Sequence, residues 1–143
     1  MKSPLPLHTF NGAQVPSQAT PGSAGLDLVS PMPVSLIHGH WTSVPLGLRV
    51  QIPEGYVGLM KGRSGLAFRH GVIVYDGTID SDYRGELSVL MKNEGDEPIY
   101  FIHAGDRIAQ LLIVKYLGVI PYVQKSPLNE TERGIRGYGS SGR

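Results

Sequence analysis

The sequence predicts an all-β protein, a barrel or jelly roll, with one short helix. Two features of the sequence indicate this class. Short segments alternate between apolar and polar residues, and turn-forming residues separate these segments at short intervals. The 143 residues are enough for one domain with its own core, and 41% of them are hydrophobic, which indicates a globular chain rather than a disordered one.

Three segments predict strands. Residues 44–52 alternate in the clearest way and predict one half-buried strand, whose apolar positions are Val44, Leu46, Leu48, Val50 and Ile52. Alternation recurs over residues 87–91. The nearly continuous apolar run at 108–116 is typical of a strand covered on both faces.

The remaining segments divide the chain into three parts. Residues 1–22, rich in Pro, Ser, Gln and Ala, predict an irregular N-terminal arm, and residues 23–123 form the β domain. Within that domain Ser64 is expected to cap a short helix that ends at Gly71. Residues 124–143 begin with a polar tether and continue into a glycine-rich C-terminal arm, which we expect to be mobile.

Composition restricts the possible functions. The chain has no cysteine, which removes disulfides, thiol nucleophiles and cysteine-based zinc sites and fits a reducing compartment. A net charge of +1 does not favour direct binding of nucleic acid. The N-terminus lacks the apolar stretch of a signal peptide, and no apolar run approaches the roughly 20 residues of a membrane span. We therefore expect an intracellular protein, neither secreted nor bound to a membrane, in the cytoplasm or the nucleus.

Two segments carry groups that suit an anion and a water molecule. Arg63 and Ser64, between Gly62 and Gly65, lie where a strand meets the predicted helix, and a helix start attracts anions. Asp80 lies in a second segment, where its carboxylate can orient and deprotonate water. Taken alone, the first segment is more simply a capped turn with a surface arginine, and the second a solvated turn in which Asp82 or Glu86 pairs with Arg84.

Other candidate residues are weaker individually. Gly77 permits a tight hairpin just before Asp80. Asp27 lies between two leucines and is expected to point away from them, whereas Gln110 lies in an apolar run and needs hydrogen-bond partners. The five histidines show no spacing typical of a metal site.

The order of these segments is more informative than any one of them. Five motifs follow one another along residues 24–142, namely AGLDL at 24–28, GRSGLA at 62–67, GTIDSDYRGE at 77–86, GDRIAQL at 105–111 and RGIRGYGSSG at 133–142. In this order they strongly resemble the trimeric dUTP pyrophosphatase (dUTPase) family. The resemblance implies a homotrimeric jelly-roll (β-clip) barrel that hydrolyses dUTP to dUMP and pyrophosphate with Mg²⁺. Such an enzyme keeps uracil out of DNA and supplies dUMP for dTMP synthesis.

The resemblance also implies a role for each matching residue. Asp80 would activate water for attack at the α-phosphorus, Tyr83 would lie against the deoxyribose, and Asp27 would contact the water shell of the metal. The residues expected to bind substrate are Arg63, Ser64, Gly65, Gly77, Thr78, Ile79, Tyr83, Gln110, Arg133, Tyr138, Gly139 and Ser140. The triphosphate oxygens would hold most of the Mg²⁺ coordination.

In the family the C-terminal arm closes over the site of a neighbouring subunit. Tyr138 would stack on the uracil, while Arg133, Gly139 and Ser140 would reach the γ-phosphate. The backbone of residues 74–79 would read the uracil, because its N–H and C=O groups can match the pattern of that base and leave cytosine unpaired. Tyr75 and Asp76 depart from the small residues frequent before Gly77, which puts the shape of this hairpin in question.

Two other functions are compatible with this fold. A dCTP deaminase shares it but typically uses a glutamate as its acid and base and lacks the arm motif. A regulatory protein of the same fold acts by protein contact and usually loses catalytic residues, whereas every expected position is filled in this sequence. Asp80 and the intact residues 133–142 favour the hydrolase.

Overall fold

A computed structural model describes residues 3–136 of the chain. Within that range the chain forms one helix, α1 (Ser64–His70), and eleven strands. The strands are β1 (Leu7–Thr9), β2 (Leu26–Val29), β3 (Val34–Ile37), β4 (Trp41–Pro45), β5 (Leu48–Val50), β6 (Tyr56–Lys61), β7 (Val72–Val74), β8 (Gly77–Ile79), β9 (Ser88–Asn93), β10 (Ile99–Ile102) and β11 (Arg107–Lys115). The predicted all-β class with one short helix is confirmed.

Four antiparallel sheets surround a single core. The largest has the strand order β2-β11-β6-β8, and a three-stranded sheet has the order β4-β9-β7. The pairs β1-β5 and β10-β3 form the other two sheets. Seventeen buried apolar residues from these strands and their connections pack into one cluster, with Leu36, Val89 and Leu111 fully enclosed.

The alternating segment 44–52 is not one strand. Its five apolar positions are all buried, as predicted, but the chain leaves β4 at Pro45 and begins β5 at Leu48 in another sheet. Gly47 makes the break, with a φ of 62° and no room for a side chain, since a Cβ would lie 2.5 Å from the carbonyl oxygen of Phe10. The alternation of apolar and polar residues therefore predicted which side chains are buried, but it did not predict that the chain passes from one sheet to another.

Two other expectations need correction. Ser64 does not cap α1, because Arg63 occupies the N-cap position without a side-chain cap bond and Ser64 is the first helical residue. Gly71 ends the helix in the left-handed conformation, as predicted. Residues 1–22 are not irregular throughout, since β1 pairs with β5 and Leu5 and Leu7 pack against the core.

The strand predicted at 108–116 is β11, the centre of the largest sheet. It pairs with β2 on one side and β6 on the other, and Ile108, Ala109 and Leu111 are buried. Its C-terminal end is exposed at Val114, so the expected cover on both faces applies only to the first half in the isolated chain. Residues 117–136 form no helix or strand and are exposed. No helix of the described residues is long and apolar enough to span a membrane.

Candidate functional site

A pocket, which we call the crossover pocket, lies beside the connection through which the chain passes from the three-stranded sheet to the four-stranded sheet. β7 pairs with β9 in one sheet and β8 pairs with β6 in another, and Tyr75 and Asp76 alone connect them. Each of the two strands is the edge of its sheet. The pocket beside them has a volume of about 230 Å³ and is lined by Met60, Tyr75, Gly77, Thr78, Ile79, Asp80, Tyr83, Glu86, Leu87, Ser88 and Leu90.

This connection corrects the expected tight hairpin at Gly77. β7 and β8 are not paired with each other, so the chain crosses between sheets instead of turning back on itself. Gly77 does not have a positive φ, and a Cβ on it would make only an ordinary 3.4 Å contact with Met60. The conformational freedom of glycine is therefore not required at position 77 by the fold of the chain.

Asp80 and Tyr83 form one wall of the crossover pocket. Asp80 follows β8 directly, and its carbonyl oxygen accepts a hydrogen bond of 3.2 Å from the backbone N–H of Tyr83, which closes a turn. The Asp80 side chain is exposed, so it can reach both solvent and a ligand in the pocket. An exposed carboxylate at the edge of a pocket is well placed to accept a proton from water.

The Tyr83 ring is held in place by its own turn. Its hydroxyl donates to the carbonyl oxygen of Glu86 at 3.0 Å. A Cβ on Gly85 would overlap the Tyr83 hydroxyl and lie 2.8 Å from ring atom Cε2, so only glycine permits this ring position. Glu86 in turn accepts a hydrogen bond of 2.9 Å from the Gly47 N–H, which ties the turn to the break between β4 and β5.

A second group, the Asp27 cluster, consists of Asp27, Arg63, Arg107 and Gln110. The two carboxylate oxygens of Asp27 lie 3.5 Å from Arg63 Nε and 3.5 Å from Arg107 Nη1. Arg63 Nη1 also donates to the carbonyl oxygen of Arg107 at 3.1 Å. The side chain of Asp27 is 13% exposed, and two arginines compensate its charge.

Strand register explains how Gln110 joins this cluster. Gln110 on β11 lies opposite Asp27 on β2 and opposite Lys61 on β6, so the three side chains share one face of the sheet. Gln110 Nε2 donates to the carbonyl oxygen of Gly62 at 3.0 Å, which satisfies the amide that the sequence left without a partner. Gly25 leaves the space for this side chain, since a Cβ there would lie 2.5 Å from Gln110 Oε1.

A groove of about 340 Å³ opens beside the Asp27 cluster. Arg63, Arg107 and Tyr100 are among the residues that line it. Ser64 and Gly65 are exposed at the start of α1, whose first turn contains no acidic residue. Burial, together with the Asp106 carboxylate, raises the pKa of the Tyr100 hydroxyl. Tyr100 therefore stays neutral at physiological pH, and the charged residues that line the groove are Arg63, Arg107 and Asp106.

Comparison with known proteins identifies the family of the chain. The family model for dUTPase matches residues 11–142. The chain belongs to the dUTPase family. Two bacterial proteins named deoxyuridine 5'-triphosphate nucleotidohydrolase are similar to it. That of Cutibacterium acnes is 46% identical over 131 residues, 90% of this chain and 85% of the relative. That of Orientia tsutsugamushi (strain Boryong) is 46% identical over 144 residues, 95% of this chain and 94% of the relative.

Solved dUTPase structures have the same fold. Staphylococcus bacteriophage 80alpha dUTPase with dUPNHPP superposes with a TM-score of 0.92 at 28% identity and covers 99% of this chain and 100% of its own. A mutant dUTPase from phage phi11 of S. aureus, described with a structural Mg(II) ion, has a TM-score of 0.81 at 26% identity over 87% of this chain and 98% of its own. The jelly-roll class and the family predicted from the sequence are confirmed.

The expected dUTPase site residues fall into two groups on one chain. Gly77, Thr78, Ile79, Asp80 and Tyr83 all line the crossover pocket. Asp27, Arg63 and Gln110 meet in the Asp27 cluster, next to Ser64 and Gly65. Among residues 3–136, no side-chain hydrogen bond or ion pair joins the cluster to Asp80 or Tyr83.

The last group of expected residues belongs to the C-terminal arm. Within residues 3–136, the Nε of Arg133 donates to the carbonyl oxygen of Arg136 at 3.4 Å, which is a local contact. Tyr138, Gly139 and Ser140 lie outside the described residues.

Three residues at these sites were not predicted from the sequence. Arg107 completes the Asp27 cluster, Lys61 pairs with Asp76 beside the crossover pocket, and Glu86 holds the Gly47 N–H. The register of β6 with β11 places Lys61 opposite Gln110, and no local pattern of the sequence indicates that pairing. The alternative pairing of Asp82 or Glu86 with Arg84 does not occur, since Arg84 donates to the carbonyl oxygens of Ser81 and Tyr83.

A site for Mg²⁺ requires oxygen ligands, such as those of carboxylates. Among the described residues, no group of three or more His, Cys, Asp or Glu side chains is arranged to hold a metal ion. The Asp27 carboxylate offers two oxygens whose arginine contacts, at 3.5 Å, leave room for further hydrogen bonds. It therefore suits a hydrated Mg²⁺, which usually keeps several of its waters when a substrate phosphate also binds it.

Proposed function

We propose that this chain hydrolyses dUTP to dUMP and pyrophosphate in the presence of Mg²⁺. The observation that carries the proposal is the position of Asp80 and Tyr83 together on the wall of a pocket between two sheet edges. This pocket has an exposed carboxylate, Asp80, among its lining residues, which can accept a proton from water in the hydrolysis of a nucleotide.

The base and the sugar occupy the crossover pocket in this proposal. β8 is an edge strand, so the backbone groups on its free side can pair with the N–H and C=O groups of uracil. Cytosine reverses part of that pattern and leaves buried groups unpaired. The Tyr83 ring, fixed by Gly85, lies against the deoxyribose and leaves no room for a 2′-hydroxyl.

Hydrolysis is an attack of water on the α-phosphorus. Asp80 accepts a proton as the water oxygen bonds to that phosphorus, and the bond from the α-phosphorus to the bridging oxygen breaks to release pyrophosphate. Mg²⁺, when bound, neutralises charge on the phosphate oxygens. Asp27 would hold that ion through its water molecules, and Arg63, Ser64, Gly65 and Gln110 would bind the phosphates with N–H and hydroxyl groups.

The two groups of site residues motivate the assembly that we propose. Among residues 3–136, no side-chain hydrogen bond or ion pair joins the Asp27 cluster to Asp80 or Tyr83, and we expect the triphosphate to contact both groups. We infer a homotrimer in which the crossover pocket of one subunit faces the Asp27 cluster of a second. Residues 133–143 of the third subunit close over the nucleotide, with Tyr138 on the uracil and Arg133, Gly139 and Ser140 at the γ-phosphate.

The experiment that tests this function measures pyrophosphate release from dUTP with Mg²⁺, beside dTTP, dCTP and UTP at equal concentration. We expect strong release from dUTP alone. Release of ammonia from dCTP would instead show that the chain is a dCTP deaminase. No turnover of any of the four, by protein that is folded and binds dUMP, would contradict the proposal and favour a regulatory role.

A further inference from the structure

The connection between β7 and β8 is only two residues long, and both residues are anchored. Tyr75 lines the crossover pocket, and its ring meets Trp41 edge to face, with centroids 6.2 Å apart and planes at 86°. Asp76 forms an ion pair with Lys61 on β6. One residue therefore contacts the three-stranded sheet and the other contacts the four-stranded sheet.

Trp41 also contacts a lysine of the neighbouring strand. It lies opposite Lys92 in the β4-β9 register, and Lys92 Nζ lies 5.8 Å from the centroid of the indole ring, within the range of a cation–π contact. Lys92 also pairs with Glu94. The indole ring thus has a cation near its ring and the Tyr75 ring at a right angle to it, an arrangement that aromatic pairs favour.

The rings of Tyr75 and Trp41 are too exposed to be part of the hydrophobic core. Tyr75 is 62% exposed and Trp41 is 47% exposed, so neither belongs to the buried cluster of the domain. Exposed aromatic residues of this kind contribute little to the free energy of unfolding. Tyr75 both lines the crossover pocket and contacts Trp41 through its ring.

We propose that Tyr75 is a specificity-determining residue for the nucleobase and that Trp41 positions its ring. This inference rests on the proposed function and deepens it. The Tyr75 ring closes one side of the pocket, so it limits the size of the pyrimidine that enters and excludes a base that carries an extra substituent at C5. Trp41 acts through Tyr75, because it does not line the pocket.

The test compares kcat/KM for dUTP and dTTP in the full chain and in variants at both positions. We expect Tyr75→Ala to lower the dUTP:dTTP ratio by about tenfold or more, the effect of one methyl group in an apolar pocket. Tyr75→Phe keeps the ring and should keep the ratio. Trp41→Ala should lower the ratio in the same direction, and Trp41→Phe should restore most of it. Ile73→Ala is the matched control, since Ile73 lies opposite Lys92 on the same exposed face but does not line the pocket.

A binding measurement provides a readout independent of turnover. Trp41 is the only tryptophan of the chain. Its emission should therefore change in a saturable way when dUMP fills the pocket beside Tyr75, and titration with dUMP and dTMP gives the ratio of their affinities. Tyr75→Ala should bring these two affinities closer together. The double variant Trp41→Ala/Tyr75→Ala, assayed by kinetics, should be no less selective than Tyr75→Ala alone, because one residue acts through the other.

The outcomes separate this inference from the proposed function. Unchanged dUTP:dTTP ratios in Tyr75→Ala, with wild-type turnover of dUTP, would overturn the inference and leave the function intact. An equal loss of selectivity in Ile73→Ala would also overturn it, because the effect would then belong to the whole sheet face. A wild-type protein that releases no pyrophosphate from dUTP contradicts the function itself.

Discussion

Gly85 and Tyr83 are two residues apart, and the absence of a side chain on the first fixes the position of the second. The Tyr83 hydroxyl reaches the carbonyl oxygen of Glu86 at 3.0 Å across the space that a Cβ on Gly85 would fill. Gly85→Ala should therefore displace the ring from the crossover pocket. We expect kcat/KM for dUTP to fall by about 10²-fold, the effect of a misplacement of about 1 Å.

The matched control for this substitution is Gly22→Ala. A Cβ on Gly22 meets nothing within 4 Å, and its φ is not in the left-handed range. This variant should keep wild-type kinetics. If Gly85→Ala hydrolyses dUTP as fast as Gly22→Ala, the ring position of Tyr83 is not important for turnover.

Gly25→Ala tests the packing of the Asp27 cluster. The new Cβ would lie 2.5 Å from Gln110 Oε1 and 3.1 Å from Gln110 Cβ, so Gln110 must move and lose its hydrogen bond to Gly62. We expect a loss of about 1–3 kcal/mol in the free energy of unfolding, measured with urea.

A double-mutant cycle assigns this cost to the named pair. Gln110→Ala removes the atoms that the new Cβ meets, so the Gly25→Ala/Gln110→Ala variant should be more stable than the sum of the two single changes predicts. Strict additivity would mean that Gly25 is needed for another reason. Residual kcat/KM of the same variants would then show how far Gln110 contributes to phosphate binding.

Sequence reasoning identified which residues are buried better than it identified how strands connect. Val44 to Ile52 alternate as predicted, yet Gly47 breaks them into two strands because the carbonyl of Phe10 approaches its Cα. Nothing local signals a contact with a residue so far back along the chain. For the same reason the tight turn expected at Gly77 is a crossover, because the partners of β7 and β8 are set by distant strands β9 and β6.

The order of the five sequence motifs identified the site residues, but only the register of the paired strands shows how these residues are arranged in space. Asp80 and Tyr83 are near each other in the sequence, so their common pocket could be expected. The meeting of Asp27, Arg63 and Arg107 depends on the pairing of β2 with β11 and of β11 with β6. A single sequence does not specify such pairings, which is why Arg107 and Lys61 were missed.

The alkaline stability of the protein should depend on Tyr100. Burial and the Asp106 carboxylate raise the pKa of its hydroxyl above the ordinary value of 10.0, so the folded state holds this proton more tightly than the unfolded state. The stabilisation is complete below the ordinary pKa and is lost as the pH rises through the raised one. Melting temperatures should therefore fall less steeply above about pH 10 in Tyr100→Phe than in the wild type. Equal slopes would contradict this assignment.

Deletion of residues 133–143 should reduce turnover without reducing stability. Residues 117–136 are exposed and form no strand, and the described contacts of Arg133 are local. The melting temperature of the truncated protein should equal that of the full chain. The value of kcat/KM for dUTP should fall, because the groups that we propose at the uracil and the γ-phosphate are gone. Full turnover by the truncated protein would contradict the role of the arm.

Asp80→Asn separates water activation from binding. The amide keeps the size of the carboxylate but does not take a proton from water, so we expect kcat to fall by about 10²- to 10⁴-fold, the usual contribution of a general base. Binding of dUMP, followed by the fluorescence of Trp41, should change little, because Asp80 is exposed and the pocket walls are otherwise intact. Asp82→Asn is the matched control, an exposed carboxylate two residues away that does not line the crossover pocket. A comparable loss in both variants would indicate a general effect of charge near the site, and undiminished turnover in Asp80→Asn would show that another group is the base.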